Sequence, residues 1–263
     1  MGKLTKLSRS VSGSRVIVTG AASGMGRATA FVFADEGARV VVADRQPEGV
    51  QEVVKEIQAA YGETAAVGIS VDVSKPADRS ALIDLCVSTF GGLDVLVNNA
   101  GVSLVSSVFS EEDDFLSAWD ATLAINLSAH VHLARLAVPH LMKCSHGGRI
   151  INIASTEGIV ATSGLAAYTA AKHGVIGLSK SLAVELGRHN VTVNAVCPGP
   201  ISTAMTADIA DDAKETYARR RVPLRRYGNP EEVAHMTVNL AMPCSSFVNG
   251  ATVVVDGGMT IKH

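Results

Sequence analysis

Tyr168 and Lys172 stand four residues apart in a helix-forming stretch, which puts both side chains on one helical face. A free phenol titrates near ~10 and is a poor base at neutral pH. A neighbouring ammonium favours the phenolate. One opposite charge at about 4 Å is worth ~4 kcal/mol at an effective dielectric of 20, about three pKa units at the upper end. The pair therefore suits general acid/base work on a hydroxyl. A second group of residues suits a different task. Thr19-Gly20-Ala21-Ala22-Ser23-Gly24-Met25-Gly26 follows a β-branched run and leads into a helix-forming one. Its glycines allow a tight turn and a close approach to a pyrophosphate, and the helix N-terminus adds unpaired N–H groups and positive potential. The spacing is G-x-x-x-G-x-G rather than the more familiar G-x-G-x-x-G. Asp44 follows Gly26 by 18 residues, close to the roughly 20-residue offset at which an acid meets ribose hydroxyls. Loop and acid together predict a dinucleotide site.

Such groups need rigid elements behind them. Residues 15–19, 39–43, 65–71, 93–98, 149–154, 191–196 and 252–255 read as strands, most of them apolar on both faces as in a covered parallel sheet. Helix-period segments lie between them. Val50, Val53, Val54 and Ile57 form one apolar stripe, with Pro47 ahead of it and Gly62 behind. Ser74 before Lys75-Pro76 reads as a second helix start. Pro230-Glu231-Glu232 reads as a third, with acids at its positive end. The alternation is unbroken by linker, repeat or low-complexity tract. It predicts an α/β fold, a single doubly wound Rossmann-type domain over residues 1–263 whose central parallel seven-stranded sheet carries helices on both faces. Residues 200–227 are the least regular and are placed to cover a ligand outside the carboxyl ends of the strands.

Composition narrows the possible functions. Charged residues make up 18% and hydrophobic ones 47% of 263 residues, enough for a large core with apolar surface left to bury against copies of the chain. A net charge of −2 argues against a nucleic-acid binder. Cys86, Cys144, Cys197 and Cys244 are widely spaced with no C-x-x-C, so neither a metal site nor a disulfide framework is expected. The uncharged run 236–255 contains Asn239, Pro243, Asn249 and Gly250, too broken for a membrane span. The first 34 residues hold five basic residues (Lys3, Lys6, Arg9, Arg15, Arg27) and no acid, faintly like a transit peptide. The strand-like run at Arg15 leaves only a short tail, and the expected location is cytoplasmic.

Thr19–Gly26, Asn-Asn-Ala-Gly at 98–101, Tyr-x-x-x-Lys at 168–172 and the pair Pro198-Gly199 occur in order, each after its own strand. In this arrangement the chain resembles the short-chain dehydrogenase/reductase family from about residue 15 to residue 260. The resemblance implies hydride transfer between a nicotinamide cofactor and a secondary alcohol or ketone. It assigns Tyr168 as general acid/base and gives Lys172 the nicotinamide ribose to hold. Ser155 falls at the substrate oxygen, and Asn126 matches the asparagine that holds a water beside the lysine. The implied cofactor contacts are Gly20, Ser23, Gly24, Met25 and Gly26 in the loop and Asp44 and Arg45 at the adenosine ribose. Asp72 and Val73 fall at the adenine edge, Asn99, Ala100 and Gly101 beside the cofactor, and Pro198, Gly199, Ile201 and Thr203 near the carboxamide. Asp72 equally suits a cap on the helix that starts at Ser74.

Asp44 favours NAD over NADP because a carboxylate repels a 2′-phosphate. Ser23 offers no positive charge to such a phosphate, whereas Arg45 could pair with one or simply be solvated. Residues 102–104, 156–160 and 205–217 are expected to shape an apolar substrate pocket. Within them Glu157 either binds a polar substrate group or, the preferred reading, faces solvent. The arginines at 219–221 and 225–226 read as structural rather than as an acidic-partner site, and His130, His132 and His140 as ordinary helix residues. The helices at about 111–142 and 165–189 are rich in Ala, Leu and Val, like those that pack relatives into homotetramers, and residues 259–263 could touch a neighbouring subunit. The alternative functions are a β-ketoacyl carrier-protein reductase using NADPH and a non-catalytic cofactor-sensing protein.

Overall fold

The computed structural model describes residues 5–262; Lys3 of the basic tail and His263 of the C-terminal tail lie outside them. Seven parallel strands form one sheet, β1 (Arg15–Thr19), β2 (Arg39–Asp44), β3 (Ala66–Ser70), β4 (Val95–Asn98), β5 (Gly148–Ile153), β6 (Val191–Pro198) and β7 (Thr252–Val255), in the order β3-β2-β1-β4-β5-β6-β7. The fold is thus the doubly wound α/β sandwich. The chain winds outward from β1 to β3, then crosses back to lay β4 against the other side of β1. That reversal opens a crevice outside the carboxyl ends of β1 and β4, the usual ligand position in open α/β sheets.

Strand alternation divides the core. Val16, Val18, Val40 and Val42 face α1 (Gly24–Asp35), α2 (Pro47–Tyr61) and α8 (Pro230–Ala241), while Ile17, Val41 and Leu96 face the other helical layer. That second layer is built from α3 (Pro76–Phe90), α5 (Ala129–Leu141) and α6 (Ala166–Leu186). Each fully buried aliphatic side chain contributes roughly 1.5–3 kcal/mol. At the amino-terminal rim the Arg15 backbone N–H and Nε donate to Asp94 Oδ2 at 2.9 and 2.8 Å, and Nη2 donates to Oδ1 at 2.6 Å, locking the starts of β1 and β4 together.

Helix punctuation largely follows the sequence. Pro47 starts α2, and Gly62 after it takes φ 93°, a left-handed value that suits glycine. Ser74 is not the cap of α3, which begins at Pro76 with Lys75 as N-cap. The Ser74 hydroxyl and backbone N–H both donate to Asp72 Oδ1, at 2.6 and 2.9 Å, so its side chain is spent one turn earlier. At α8 the cap is Asn229, in a reciprocal capping box with Glu232. The expected helix at about 111–142 forms as α4 (Glu112–Leu123), a π turn at Ala124–Ser128 and α5, with Asn126 inside the π turn. The irregular segment folds into a 3₁₀ turn (Ala204–Thr206) and α7 (Asp211–Arg221).

Candidate active site

The glycine loop is built by two strand ends. Thr19 Oγ1 accepts from the N–H groups of Asn99 and Ala100 at 2.9 and 3.1 Å, and Asn99 Nδ2 donates to the Thr19 carbonyl at 2.8 Å. Gly20 and Gly24 take φ 65° and 54°, the left-handed region. Gly26 serves packing: a Cβ there would stand 2.0 Å from the Gly20 carbonyl oxygen. Ser23, the N-cap of α1, makes no side-chain capping bond, so the first N–H groups of that helix remain available as donors. Asp44 ends β2. Its Oδ2 accepts from Ala22 N–H and its Oδ1 from Gln46 N–H, both at 3.1 Å, which fixes the carboxylate while leaving each oxygen a free lone pair. These donors, the left-handed glycines and the held carboxylate fit the pyrophosphate and ribose of a dinucleotide.

The loop lines a cleft of about 270 Å³ together with Asp72, Val73, Ala100, Gly101, Tyr168, Lys172 and Thr203. Tyr168 and Lys172 lie on α6 with the Lys172 ammonium 5.6 Å from the phenol ring centroid. Lys172 is 3% exposed, and its Nζ donates to the Ile153 carbonyl at the end of β5 at 2.8 Å. Burial pushes the Lys172 ammonium down to about 8. Tyr168 moves the opposite way from the sequence expectation. Burial of the phenol raises it above its ordinary value, the Ser155 hydroxyl lowers it, and the Glu157 carboxylate raises it again. Desolvation of the anionic form outweighs the help of the Ser155 hydroxyl.

Ser155 follows β5 and caps the 3₁₀ turn Thr156–Gly158, its Oγ accepting from Glu157 N–H at 3.1 Å. Asn126 is buried, and its side chain is held by the backbone of Val102, receiving a 2.8 Å bond and giving a 2.7 Å bond. Gly101 sits between them: a Cβ there would be 3.3 Å from Asn126 Oδ1 and 3.8 Å from Lys172 Nζ.

Fourteen of the predicted cofactor residues line the cleft. Gly26, Pro198, Gly199 and Ile201 do not. Ile201 is buried against the core and bridges to Gly228, and the Gly199 N–H is paired with the Val255 carbonyl at 2.9 Å. Asp72 lines the cleft and accepts from the Ser74 N–H and hydroxyl, without capping α3. Of the predicted substrate segment 205–217, Met205 reaches the cleft, whereas Tyr217 turns to Tyr227 and Met259. Glu157 is half-buried and does not line the cleft; it accepts bonds from Thr162 and Thr169. Arg226 pairs with Glu232 through both terminal nitrogens, a structural use of the basic cluster.

Three contributors escaped the sequence. Thr19 ties β1 to β4, and the Ile153 carbonyl anchors Lys172; a strand's last polar-capable group was the only signal. His130, one helical turn beyond Asn126, is 2% exposed with neither ring nitrogen hydrogen-bonded. Burial and the Lys172 charge push it down to about 3 against a small opposing pull from the Ala100 backbone, so it is neutral. A larger cavity of about 800 Å³ behind α1 is lined by Arg27, Asp35, Lys214 and Glu231 and contains none of Ser155, Tyr168 or Lys172.

The family model described as enoyl-(acyl carrier protein) reductase matches residues 20–260. The 3-oxoacyl-[acyl-carrier-protein] reductase of Thermotoga maritima is 39% identical over 254 residues, 95% of this chain and 98% of that protein. The chain belongs to the short-chain dehydrogenase/reductase family. The cyclohexanol dehydrogenase of Acinetobacter sp. is 37% identical over 246 residues, covering 94% of each chain. The crystal structure of a short-chain type dehydrogenase/reductase from Mycobacterium marinum superposes with a TM-score of 0.88 at 32% identity, over 97% of this chain and 98% of that one. As a short-chain dehydrogenase/reductase this protein is an oxidoreductase acting on CH–OH groups, in a family that uses NAD or NADP. No helix among the described residues is long and apolar enough to cross a membrane.

Proposed function

We propose that this short-chain dehydrogenase/reductase interconverts secondary alcohols and ketones with NAD, using Tyr168 as general acid/base. The observation that carries the reading is that Tyr168 and Lys172 share one cleft with the glycine loop and Asp44. The nicotinamide, when bound, supplies the hydride acceptor or donor and a positive ring in its oxidised form. Residues of the chain do the rest. Tyr168 takes the hydroxyl proton of the alcohol, or returns it to the ketone oxygen. Ser155, whose Oγ already accepts from Glu157 N–H and so has its own proton free to donate, steadies that oxygen. Lys172 spends one N–H on Ile153, leaving two for the nicotinamide ribose and for passing the proton on. Asn126, held to Val102 by one bond given and one received, is the residue beside which a water would carry the proton on from Lys172.

NAD is favoured over NADP. Asp44 is fixed by two backbone N–H groups where ribose hydroxyls would approach. The one candidate counter-charge, Arg45, lies close enough to Asp72 to help hold that carboxyl low, which occupies part of its charge. Exposed Val105, Val108, Phe109 and Leu116, before and on α4, support burial in a homotetramer, and the expected location is cytoplasmic. The name of the Thermotoga relative supports a second reading, reduction of 3-oxoacyl thioesters with NADPH. Comparison of kcat/KM for NAD and NADP, over a panel of secondary alcohols and one 3-oxoacyl thioester, separates the two. Tyr168→Phe should abolish turnover while dinucleotide binding stays within about threefold, since only one hydrogen bond is removed. Retained turnover in that variant overturns the role of Tyr168.

A further inference from the structure

Glu157 is an acid that the proposed reaction does not use. It lies in the 3₁₀ turn directly after Ser155 and accepts three hydrogen bonds from two separate segments. Its Oε1 takes the Thr162 hydroxyl at 2.7 Å, and its Oε2 takes the Thr162 N–H at 2.9 Å and the Thr169 hydroxyl at 3.0 Å. Thr162 belongs to the loop between the turn and α6, and Thr169 immediately follows Tyr168 in the first turn of α6. The other side of the same loop is held by Ser106. Its N–H donates to Gly164 at 2.8 Å, and its hydroxyl accepts from Ala167 N–H at 2.9 Å. The carboxylate, two residues after Ser155, is therefore bonded to the residue that follows Tyr168. All three donors are neutral, and Glu157 takes part in no ion pair among the described residues.

We propose that Glu157 is a positioning residue of the active site: its carboxylate clamps the Ser155 turn to the first turn of α6 and so fixes where Ser155 and Tyr168 stand relative to each other. This rests on the reading of Tyr168 as the acid/base; the carboxylate, with no cation bonded to it, also adds to the pull that keeps the proton on the phenol. The groups around the phenol are consistent with that assignment. From the β5 turn Ser155 and Glu157 act on Tyr168 in opposite senses. On α6 itself Lys172 lies beside the ring. Cys197 of β6 acts on Lys172, and Lys172 acts on His130 of α5, and neither Cys197 nor His130 acts on the phenol. Glu157 is thus the carboxylate among them, and no cation is bonded to it. A glutamine keeps the length and one acceptor oxygen and removes the charge, whereas Thr169→Val keeps the charge and removes one strut.

The test reads Tyr168 without requiring a substrate. The chain has four tyrosines, so carbon-13 labelling of the tyrosine ring gives few signals, and the one missing in Tyr168→Phe is that of Tyr168. Following it against pH in the intact unliganded protein, Glu157→Gln should titrate lower than wild type by about half a unit, roughly a threefold change in the phenolate fraction. Thr169→Val should leave that titration in place. With a secondary alcohol and NAD, Thr169→Val should raise KM severalfold without moving the pH limb of kcat/KM, and Glu157→Gln should move the limb to lower pH. An unmoved Tyr168 titration in Glu157→Gln, or an equal shift in Thr169→Val, overturns the proposal. If Glu157→Gln does not fold, Glu157→Asp replaces it. That carboxylate is too short to reach both threonines, so a wild-type limb with raised KM supports the assignment, and a displaced limb refutes it. Because the titration is read from the resting protein, absence of turnover would count against the proposed reaction and not against the clamp.

Discussion

Replacing Lys172 by methionine should make the protein inactive and more stable. The side chain is 3% exposed, and burial pushes its ammonium from 10.5 down to about 8. A drop of that size corresponds to ~3 kcal/mol, the amount by which folding disfavours the charged form. The sign follows from proton counting. At pH 7 both folded and unfolded chains carry the proton, so the folded state bears the whole cost of the buried charge. Between about pH 8 and pH 10.5 the unfolded state binds more protons, so stability rises with pH and the cost fades. Methionine removes the charge but leaves the Ile153 carbonyl unpaired, a loss of about 1 kcal/mol. The expected net gain at pH 7 is about 2 kcal/mol, or roughly 4–8 °C in Tm for a chain of this size. The assay is thermal melting of wild type and Lys172→Met at matched protein concentration from pH 6.5 to above 10, read as a difference so that other titrating groups cancel. The gain should be constant at low pH and shrink through the upper window while turnover falls at least a hundredfold. A variant no more stable than wild type at pH 7, or a difference independent of pH, would refute the claim that this lysine is held at an energetic loss.

Gly26→Ala should weaken dinucleotide binding at least tenfold in calorimetric titration, because its Cβ would meet the Gly20 carbonyl at 2.0 Å and Asn99 Nδ2 at 2.5 Å and force the loop open; the misfit should also cost about 1–3 kcal/mol of stability. Burial alone would push the Asp94 carboxyl up, but the bonds from the Arg15 side chain and backbone outweigh it and hold Asp94 below its ordinary value. Its contribution is present above the unfolded-state pKa near ~3.9 and is lost as the pH falls through the lower folded value. Asp94→Ala should therefore lose about 1–3 kcal/mol in urea unfolding at pH 7, with a smaller deficit in acid.

Sequence and structure agree where a residue's role is local. The apolar strands were legible because both their faces are buried, and the glycine loop because a left-handed Gly20 and a crowded Gly26 leave no other residue room. Disagreement arises where a side chain is already engaged elsewhere. β4 begins at Val95 rather than at 93, with Asp94 turned to Arg15. β6 runs on to Pro198 because that end pairs with β7 at Val255. Ser74 could not cap α3, being bonded to Asp72, and Asn229, which did cap α8, carried only a composition signal. In the site, the chemistry-bearing types were visible, but their environments were not. Spacing places Lys172 beside Tyr168, yet it does not reveal that burial raises the phenol, nor that Glu157 reaches threonines five and twelve residues away.

The π turn at Ala124–Ser128 has a consequence for how such a site can arise or disappear. A helix adopts that winding when it carries one residue more than its regular ladder can absorb, and both flanks keep their packing while the surplus is taken up locally. Here α4 stays on α6 and α5 stays in its layer. Excising a single codon from this stretch would heal the ladder and swing the Asn126 amide off Val102 while leaving the scaffold standing. One register step thus separates a plain structural helix from one that serves the chemistry.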